Sequence, residues 1–207
     1  MNRFPSFRAR SRVIKAVFAG STWLRVVIWA VLFTSSGGIV FGVTLNQLES
    51  DAKLTPKRFA NYFSNFRYEF HPELQPAEVF LKNEAGDCDD YAVLADRILH
   101  PKSYTTRLIF ISMPGLIPHV VCYVDEEKGY LDYNNRGYWI KIEKASLSLR
   151  AIAAKVAKSF SANWTSASEF TIDKDDAQHF VRTISKTDSP RSAAAGVKPS
   201  KVITVDF

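Results

Sequence analysis

The chain has 207 residues, of which 46% are hydrophobic and 23% are charged, and this suits one ordinary globular domain with appended segments. Its formal net charge of +6 arises from 27 basic and 21 acidic residues, but six of the basic residues lie within the first 25 positions, which hold no acidic residue. The rest of the chain is formally neutral, which excludes the basic surface that a nucleic-acid-binding protein needs.

Residues 1–25 form a basic head, and an uncharged apolar segment over residues 26–48 follows it directly. A segment of 23 residues is long enough to cross a bilayer. The positive-inside rule would hold the basic head in the cytoplasm and place the following domain outside. We therefore predict a membrane-anchored protein whose domain lies on the extracytoplasmic side, periplasmic or extracellular. It would be secreted if the segment is a signal that is cleaved near Gly42.

The predicted domain spans residues 49–185 and opens with a helical pattern. Pro56 suits the first turn of a helix, where a missing N–H costs no intrahelical hydrogen bond. Apolar residues then follow at the spacing of an amphipathic helix: Phe59, Tyr62, Phe63 and Phe66. A short helix is predicted over residues 77–81, ahead of a turn at residues 83–86.

The clearest helical pattern covers residues 87–99. Asp87 and Asp90 occupy the first and fourth positions of a near capping box, and Pro101 ends the pattern. Its apolar residues recur at intervals of three and four: Tyr91, Leu94, Ala95, Ile98 and Leu99. We therefore expect Cys88 at the first position of this helix.

From Thr105 onward the periodicity changes to two, which is typical of strands. Four strands are predicted, and the links between the last three are short enough for an antiparallel meander. These strands cover residues 107–111, 119–124, 130–133 and 138–142. Helices are predicted over residues 147–160 and 174–185, and residues 186–207 are predicted to be a disordered tail. The expected fold class is α+β.

The two cysteines, Cys88 and Cys122, have different surroundings in the sequence. Cys122 lies in a β-branched run, where side chains alternate between the two faces of a strand. Val120, Cys122 and Val124 would then share the core face. We therefore predict that Cys122 is a small buried residue rather than the disulfide partner of Cys88.

Cys88 has the position that a nucleophilic thiol requires. The unpaired N–H groups and the dipole at a helix N-terminus lower a thiol pKa. A nucleophilic cysteine also needs a histidine as its base and a carboxylate that orients the histidine. His119 opens one predicted strand and Asp132 lies on the next. Each of the three is more often structural when it occurs alone, but together they predict a Cys-His-Asp triad.

Three motifs in this order resemble the transglutaminase-like superfamily of papain-like cysteine enzymes, and in particular its branch of bacterial transglutaminase-like cysteine proteases. They are Gly-Asp-Cys-Asp-Asp-Tyr-Ala at 86–92, Pro-His-Val-Val-Cys-Tyr-Val at 118–124 and Tyr-Leu-Asp-Tyr-Asn at 130–134. The resemblance implies a papain-like core, with the nucleophile at a helix N-terminus packed on an antiparallel sheet. In this chain that core would be preceded by a hydrophobic N-terminal helix.

By the same resemblance, Cys88 is the nucleophile, His119 is the general base and acid, and Asp132 orients the histidine. The implied function is an extracytoplasmic cysteine hydrolase that cleaves peptide or amide bonds of a protein or peptide substrate through an acyl-enzyme. Two alternatives stay open. One is transfer of the acyl group to an amine, as in a transglutaminase, and the other is a catalytically degenerate module that only binds in the cell envelope.

The residues around Cys88 leave two points open. Asp87, Asp89 and Asp90 would raise the thiol pKa by their negative charge, although carboxylates also favour the first turn of any helix. No cofactor is predicted, with calcium as the alternative, because the sequence also resembles bacterial periplasmic proteases that bind calcium through acids beside the nucleophile. The Cys88 backbone N–H is one predicted oxyanion donor. The candidates for the second donor are Asn61, Gln75 and Asn83.

Overall fold

A computed structural model of the chain describes residues 42–174 and 176–187. The predicted basic head, residues 26–41 of the predicted apolar segment and residues 188–207 of the predicted tail lie outside the described residues. Within the described ranges, none of the helices combines the length and the apolar character that crossing a bilayer requires.

Five α-helices and eight strands make up the described part of the chain. The helices are α1 (Leu45–Ser50), α2 (Pro56–Tyr62), α3 (Ala77–Asn83), α4 (Cys88–Leu99) and α5 (Leu149–Ser159), with 3₁₀ turns at His100–Lys102 and Tyr133–Asn135. The strands are β1 (Arg67–Tyr68), β2 (Ala85–Gly86), β3 (Thr106–Ser112), β4 (His119–Val124), β5 (Gly129–Leu131), β6 (Ile142–Lys144), β7 (Ser166–Ile172) and β8 (Gln178–Ser185).

Six of the strands form one sheet in the order β6-β5-β4-β3-β7-β8, and every neighbouring pair in it is antiparallel. The structure thus confirms a mixed α+β fold with an antiparallel sheet. β4 lies inside this sheet between β3 and β5, so the backbone of His119 is held by pairing with Ile111 of β3. β1 and β2 form a separate two-stranded parallel sheet immediately before α4.

Both faces of the six-stranded sheet are covered by helices. α4 packs on one face, and α5 packs on the other. All six residues of β4 are therefore buried, with Cys122 in the core beneath α4 and Tyr123 in the core beneath α5. The prediction of a buried Cys122 is confirmed, and both cysteines are free, as predicted.

An aromatic cluster fills the core between α4 and the N-terminal helices. It consists of Phe59, Phe63, Phe66, Phe80, Tyr91 and Tyr133. Burial of aromatic rings of this size dominates the energetics of a small core. Leu48, at the end of the predicted apolar segment, is also fully buried in this core. The N-terminal helical pattern is shorter than predicted, since α2 ends at Tyr62.

Two predicted elements are wrong. The helix predicted over residues 174–185 is replaced by β8, which pairs with β7, a strand that was not predicted. Of the strand predicted over residues 138–142, only Ile142 pairs with a neighbouring strand. It is the first residue of β6, which pairs with β5. Both errors concern partly exposed edge strands, where pairing with the neighbouring strand decides the conformation more than local periodicity does.

Candidate active site

Cys88 is the first residue of α4 and is partly exposed, as the sequence predicted for its position. Gly86 lies two residues before Cys88, at a point where a side chain would not fit. A Cβ atom at Gly86 would lie 2.5 Å from Oδ2 of Asp90 and 2.6 Å from the ring of Phe80. The glycine therefore allows the chain to pass close to α3 and α4 just before the thiol.

His119 and Asp132 are in direct contact. Nε2 of His119 lies 3.0 Å from Oδ1 of Asp132, and the two residues are only 5% and 3% exposed. Asp132 directly follows β5 and caps the 3₁₀ turn, and its Oδ1 also accepts a hydrogen bond from the backbone N–H of Asn134 at 2.8 Å. The carboxylate is thus held next to the imidazole by a second hydrogen bond, although Asp132 lies just past the strand rather than on it.

Two further neighbours hold the imidazole of His119. The ring of Phe160, at the C-terminus of α5, meets it edge to face at a centroid distance of 4.9 Å. Because Nε2 is bonded to Asp132, Nδ1 is the ring nitrogen left for the Cys88 thiol.

The pKa of His119 depends on opposing effects. Burial alone would lower it, but the charge and hydrogen bond of Asp132, together with the influence of Cys88, raise it to about 10.

A protonated histidine beside a cysteine favours the thiolate form, which is the reactive nucleophile. The structure therefore brings the three predicted residues together. His119 and Asp132 are in hydrogen-bond contact, and Cys88 is close enough to His119 to contribute to raising its pKa. Cys88 and His119 also line the same cavity of about 1100 Å³. A base, its orienting carboxylate and a thiol at a helix N-terminus are the parts required for nucleophilic catalysis.

The acidic residues around the thiol form a compact cluster. One carboxylate oxygen each from Asp87, Asp89 and Asp90 lies within 4.8 Å of the others. The segment before α3 binds this cluster, since the backbone N–H groups of His71 and Gln75 donate to Asp87 and Asp90. These bonds position the carboxylates beside Cys88.

Burial and neighbouring carboxylates raise the pKa of Asp89, and burial and the charge of Asp87 raise that of Asp90. Burial, a hydrogen bond with Asp87 and the charges of Asp87 and Asp90 raise the pKa of Asp89 to about 8. Oδ1 of Asp87 is buried and accepts no hydrogen bond from the described residues. Protonation of Asp89 would let the two carboxylates share one proton. Calcium also prefers oxygen ligands, but it takes six to eight, so the cluster fits it only with further oxygens.

None of the three sequence candidates for the second oxyanion donor lines the cavity. The amide of Gln75 is bonded to Asp90 and to the carbonyl of Ala85, so it positions the acidic cluster instead. Asn61 and Asn83 are both exposed.

Tyr68 is a candidate for the second oxyanion donor that the sequence did not suggest. Its phenol lines the cavity, and burial together with the nearby charges of Cys88, Asp87 and Asp89 raises the Tyr68 pKa. The phenol therefore remains a hydrogen-bond donor at neutral pH. Its position depends on the parallel pairing of β1 with β2, which local sequence does not reveal.

Comparison with other proteins adds no evidence about this site. No protein-family model matches the chain, and no curated protein matches it significantly. The chemistry of the site is therefore inferred from the arrangement of Cys88, His119 and Asp132.

Proposed function

We propose that this protein is an extracytoplasmic cysteine hydrolase of the transglutaminase-like superfamily that cleaves amide bonds through an acyl-enzyme. The observation that carries the proposal is the 3.0 Å contact between His119 and Asp132, with Cys88 and His119 lining one cavity. The packing of α4 on the antiparallel sheet agrees with a papain-like core. The anchored, extracytoplasmic location rests on the sequence of residues 1–48.

The first half of the proposed reaction forms the acyl-enzyme. His119 holds the thiol proton, and the Cys88 sulfur attacks the carbonyl carbon of the substrate, so that a C–S bond forms and the carbonyl oxygen gains the negative charge. The backbone N–H of Cys88 and the hydroxyl of Tyr68 donate hydrogen bonds to this oxygen. The His119 imidazolium then protonates the amide nitrogen, the C–N bond breaks, and the amine leaves.

The second half releases the acyl group. His119, now neutral, removes a proton from water, and the resulting hydroxide attacks the thioester carbon. The C–S bond breaks, the carboxylic acid leaves, and the proton on His119 restores the thiolate–imidazolium pair. Asp132 keeps the imidazole in one orientation and stabilises its charged form throughout, without taking the proton itself.

The test compares the two cysteines. The full chain, purified in detergent, is treated with a peptidyl acyloxymethyl ketone, which alkylates an activated cysteine. The wild type and Cys122→Ala should both be labelled and should both hydrolyse a peptide mixture, whereas Cys88→Ala should lose labelling and hydrolysis. Labelling that persists in Cys88→Ala contradicts the proposal.

The same experiment separates the alternatives. When a primary amine such as cadaverine is added, a hydrolase continues to release acids, whereas a transglutaminase incorporates the amine into the peptides. A degenerate binding module retains peptides without processing them, and its Cys88 reacts no faster than a free thiol. That last result would remove the enzymatic proposal.

A further inference from the structure

The cavity next to Cys88 continues along the sheet face that carries α4, and its floor there is aromatic. Phe110 of β3, Phe170 of β7 and Phe180 of β8 contribute one ring each from three neighbouring strands. The Phe110 and Phe180 ring centroids are 6.0 Å apart, and those of Phe170 and Phe180 are 6.2 Å apart. We refer to these three residues as the phenylalanine floor.

The phenylalanine floor is continuous with the candidate active site. Phe110 lies opposite Val120 in the β3–β4 pairing, and Val120 is the residue after His119. Val93 of α4 and Ile172 of β7 line the same space, and all of these residues line the cavity that contains the thiol. An extended substrate bound at Cys88 can therefore lay a neighbouring side chain on the floor.

Exposure differs among the three rings of the floor, with Phe110 partly buried. Phe170 is 3% exposed, whereas Phe180, on the edge strand β8, is 39% exposed. A large apolar side chain that covered Phe180 would remove its apolar surface from water, which is favourable in proportion to the area buried. Leu116 and Ile117, from the loop before β4, are also exposed and line the cavity from another side.

The charge of the cavity restricts the occupant further. Four of the lining residues are acidic, namely Glu73, Asp87, Asp89 and Asp176, and no lysine or arginine is among the lining residues described. The protonated His119 is already paired with Asp132, so an acidic side chain near Glu73, Asp87 or Asp176 would meet like charges, which costs binding free energy. The site therefore suits neutral or basic segments.

We propose that the substrate is a polypeptide segment that places a bulky apolar side chain, such as that of Phe or Leu, on the phenylalanine floor and carries no acidic side chain within the cavity. This inference rests on the proposed function, because it assigns the substrate class of the same site. The floor selects the side chain beside the scissile bond, and the carboxylates reject acidic sequences.

The test profiles cleavage without assuming which side of the scissile bond the floor binds. The full chain in detergent is incubated with a mixture of end-blocked synthetic peptides of varied sequence plus hydroxylamine, which converts any acyl-enzyme to a hydroxamate. Mass spectrometry then identifies each reacted bond. We expect Phe, Leu and similar residues to be enriched near these bonds, and Asp and Glu to be depleted, by about 10-fold to 100-fold relative to Ala. Equal use of all residues, or enrichment of acidic ones, overturns the inference.

Variants of β8 link the selectivity to the floor. Phe180→Ala should reduce the preference for Phe and Leu over Ala about tenfold, while the rate of Cys88 alkylation by iodoacetamide stays the same. Phe180→Lys, which adds a cation, should also admit acidic peptides. The matched control is Val181→Ala, since Val181 is the next residue of the same strand, is 57% exposed and is not among the residues that line the cavity. Selectivity unchanged in both Phe180 variants would contradict the inference.

Failure of this inference differs from failure of the proposed function. If peptides react in a Cys88-dependent way but without a preference for apolar residues, the hydrolase proposal stands. Only the role of the phenylalanine floor as its specificity site is then excluded. The absence of any reacted peptide, with Cys88 alkylated no faster than a free thiol, removes both.

Discussion

Tyr68 lies opposite Gly86 in the parallel pairing of β1 with β2, and this pairing brings the phenol into the cavity of the thiol. The 3₁₀ turn that follows Asp132 supports the arrangement, because the hydroxyl of Tyr133 donates to the carbonyl of Arg67 at 2.6 Å. The β1–β2 pair and the hydrogen bond from Tyr133 to Arg67 therefore connect three features of the site. They are the proposed oxyanion donor, the segment that leads to Cys88 and the carboxylate that orients the histidine.

Removal of the Tyr68 hydroxyl should slow the reaction without loosening the fold. We expect Tyr68→Phe to lower kcat for peptide cleavage by about 10²-fold, the typical effect of losing one oxyanion donor. Alkylation of Cys88 by iodoacetamide, which forms no oxyanion, should keep its rate. The control is Tyr138→Phe, because Tyr138 is 67% exposed and does not line the cavity. An unchanged kcat in Tyr68→Phe would exclude the hydroxyl as a donor.

Replacement of the orienting carboxylate should abolish most of the activity. Asp132→Asn removes the charge that holds the His119 imidazolium, so we expect kcat to fall by about 10⁴-fold. In the wild type, activity should decline as pH rises through about 10, where His119 loses its proton. Steady-state rates between pH 6 and 11 measure this decline. In the variant, the residual activity should decline at a lower pH, and an unshifted profile would show that Asp132 does not set the His119 pKa.

The same pair should make stability depend on pH. The His119 pKa is raised from 6.5 to about 10 in the folded protein, so its stabilising contribution is complete below pH 6.5 and is lost as pH rises through about 10. The difference in free energy of unfolding between the wild type and Asp132→Asn should therefore be largest near pH 6 and smaller at pH 10. Urea unfolding at the two pH values measures it, and a difference that grows with pH would contradict the assignment.

Asp89 should also make stability fall as pH rises, because its pKa is raised in the folded protein as that of His119 is. Its pKa is raised from 3.8 to about 8, so the folded protein resists its ionisation and loses stability as pH rises from about 4 to about 8. Asp89→Asn should therefore be more stable than the wild type at pH 9 and equally stable at pH 4. Thermal unfolding with EDTA or with CaCl₂ tests this. Stabilisation of the wild type by CaCl₂ that Asp89→Asn lacks would indicate a bound cation in place of the shared proton.

Gly86→Ala should destabilise the fold beside the thiol. The added Cβ would lie 2.5 Å from Asp90 Oδ2 and 2.6 Å from Phe80, and both side chains are buried and held in place. We expect a loss of about 1–3 kcal/mol in the free energy of unfolding, as is typical of overpacking. Gly137→Ala is the control, since the nearest atom to a Cβ there, the carbonyl oxygen of Ser64, is 4.0 Å away. Equal losses in the two variants would show that Gly86 is not sterically required.

Local sequence patterns were sufficient where short-range interactions decide the structure. The helix that begins at Cys88 was predicted because its apolar residues repeat at helical spacing and its first turn is acidic. β4 was predicted with the bounds that the structure has, since its β-branched residues suit a strand that is buried on both faces. The helix α5 was also predicted to within two residues at its N-terminus and one at its C-terminus.

The sequence by itself determined the α+β class, the position of Cys88 at a helix N-terminus and the burial of Cys122, because these depend on residues that are neighbours along the chain. Only the tertiary structure decided the contact of His119 with Asp132, the entry of Tyr68 into the cavity and the joining of three phenylalanines across β3, β7 and β8. Each of these depends on which strands pair and in what register. Pairing between distant segments depends on the packing of the whole core, which no local periodicity encodes.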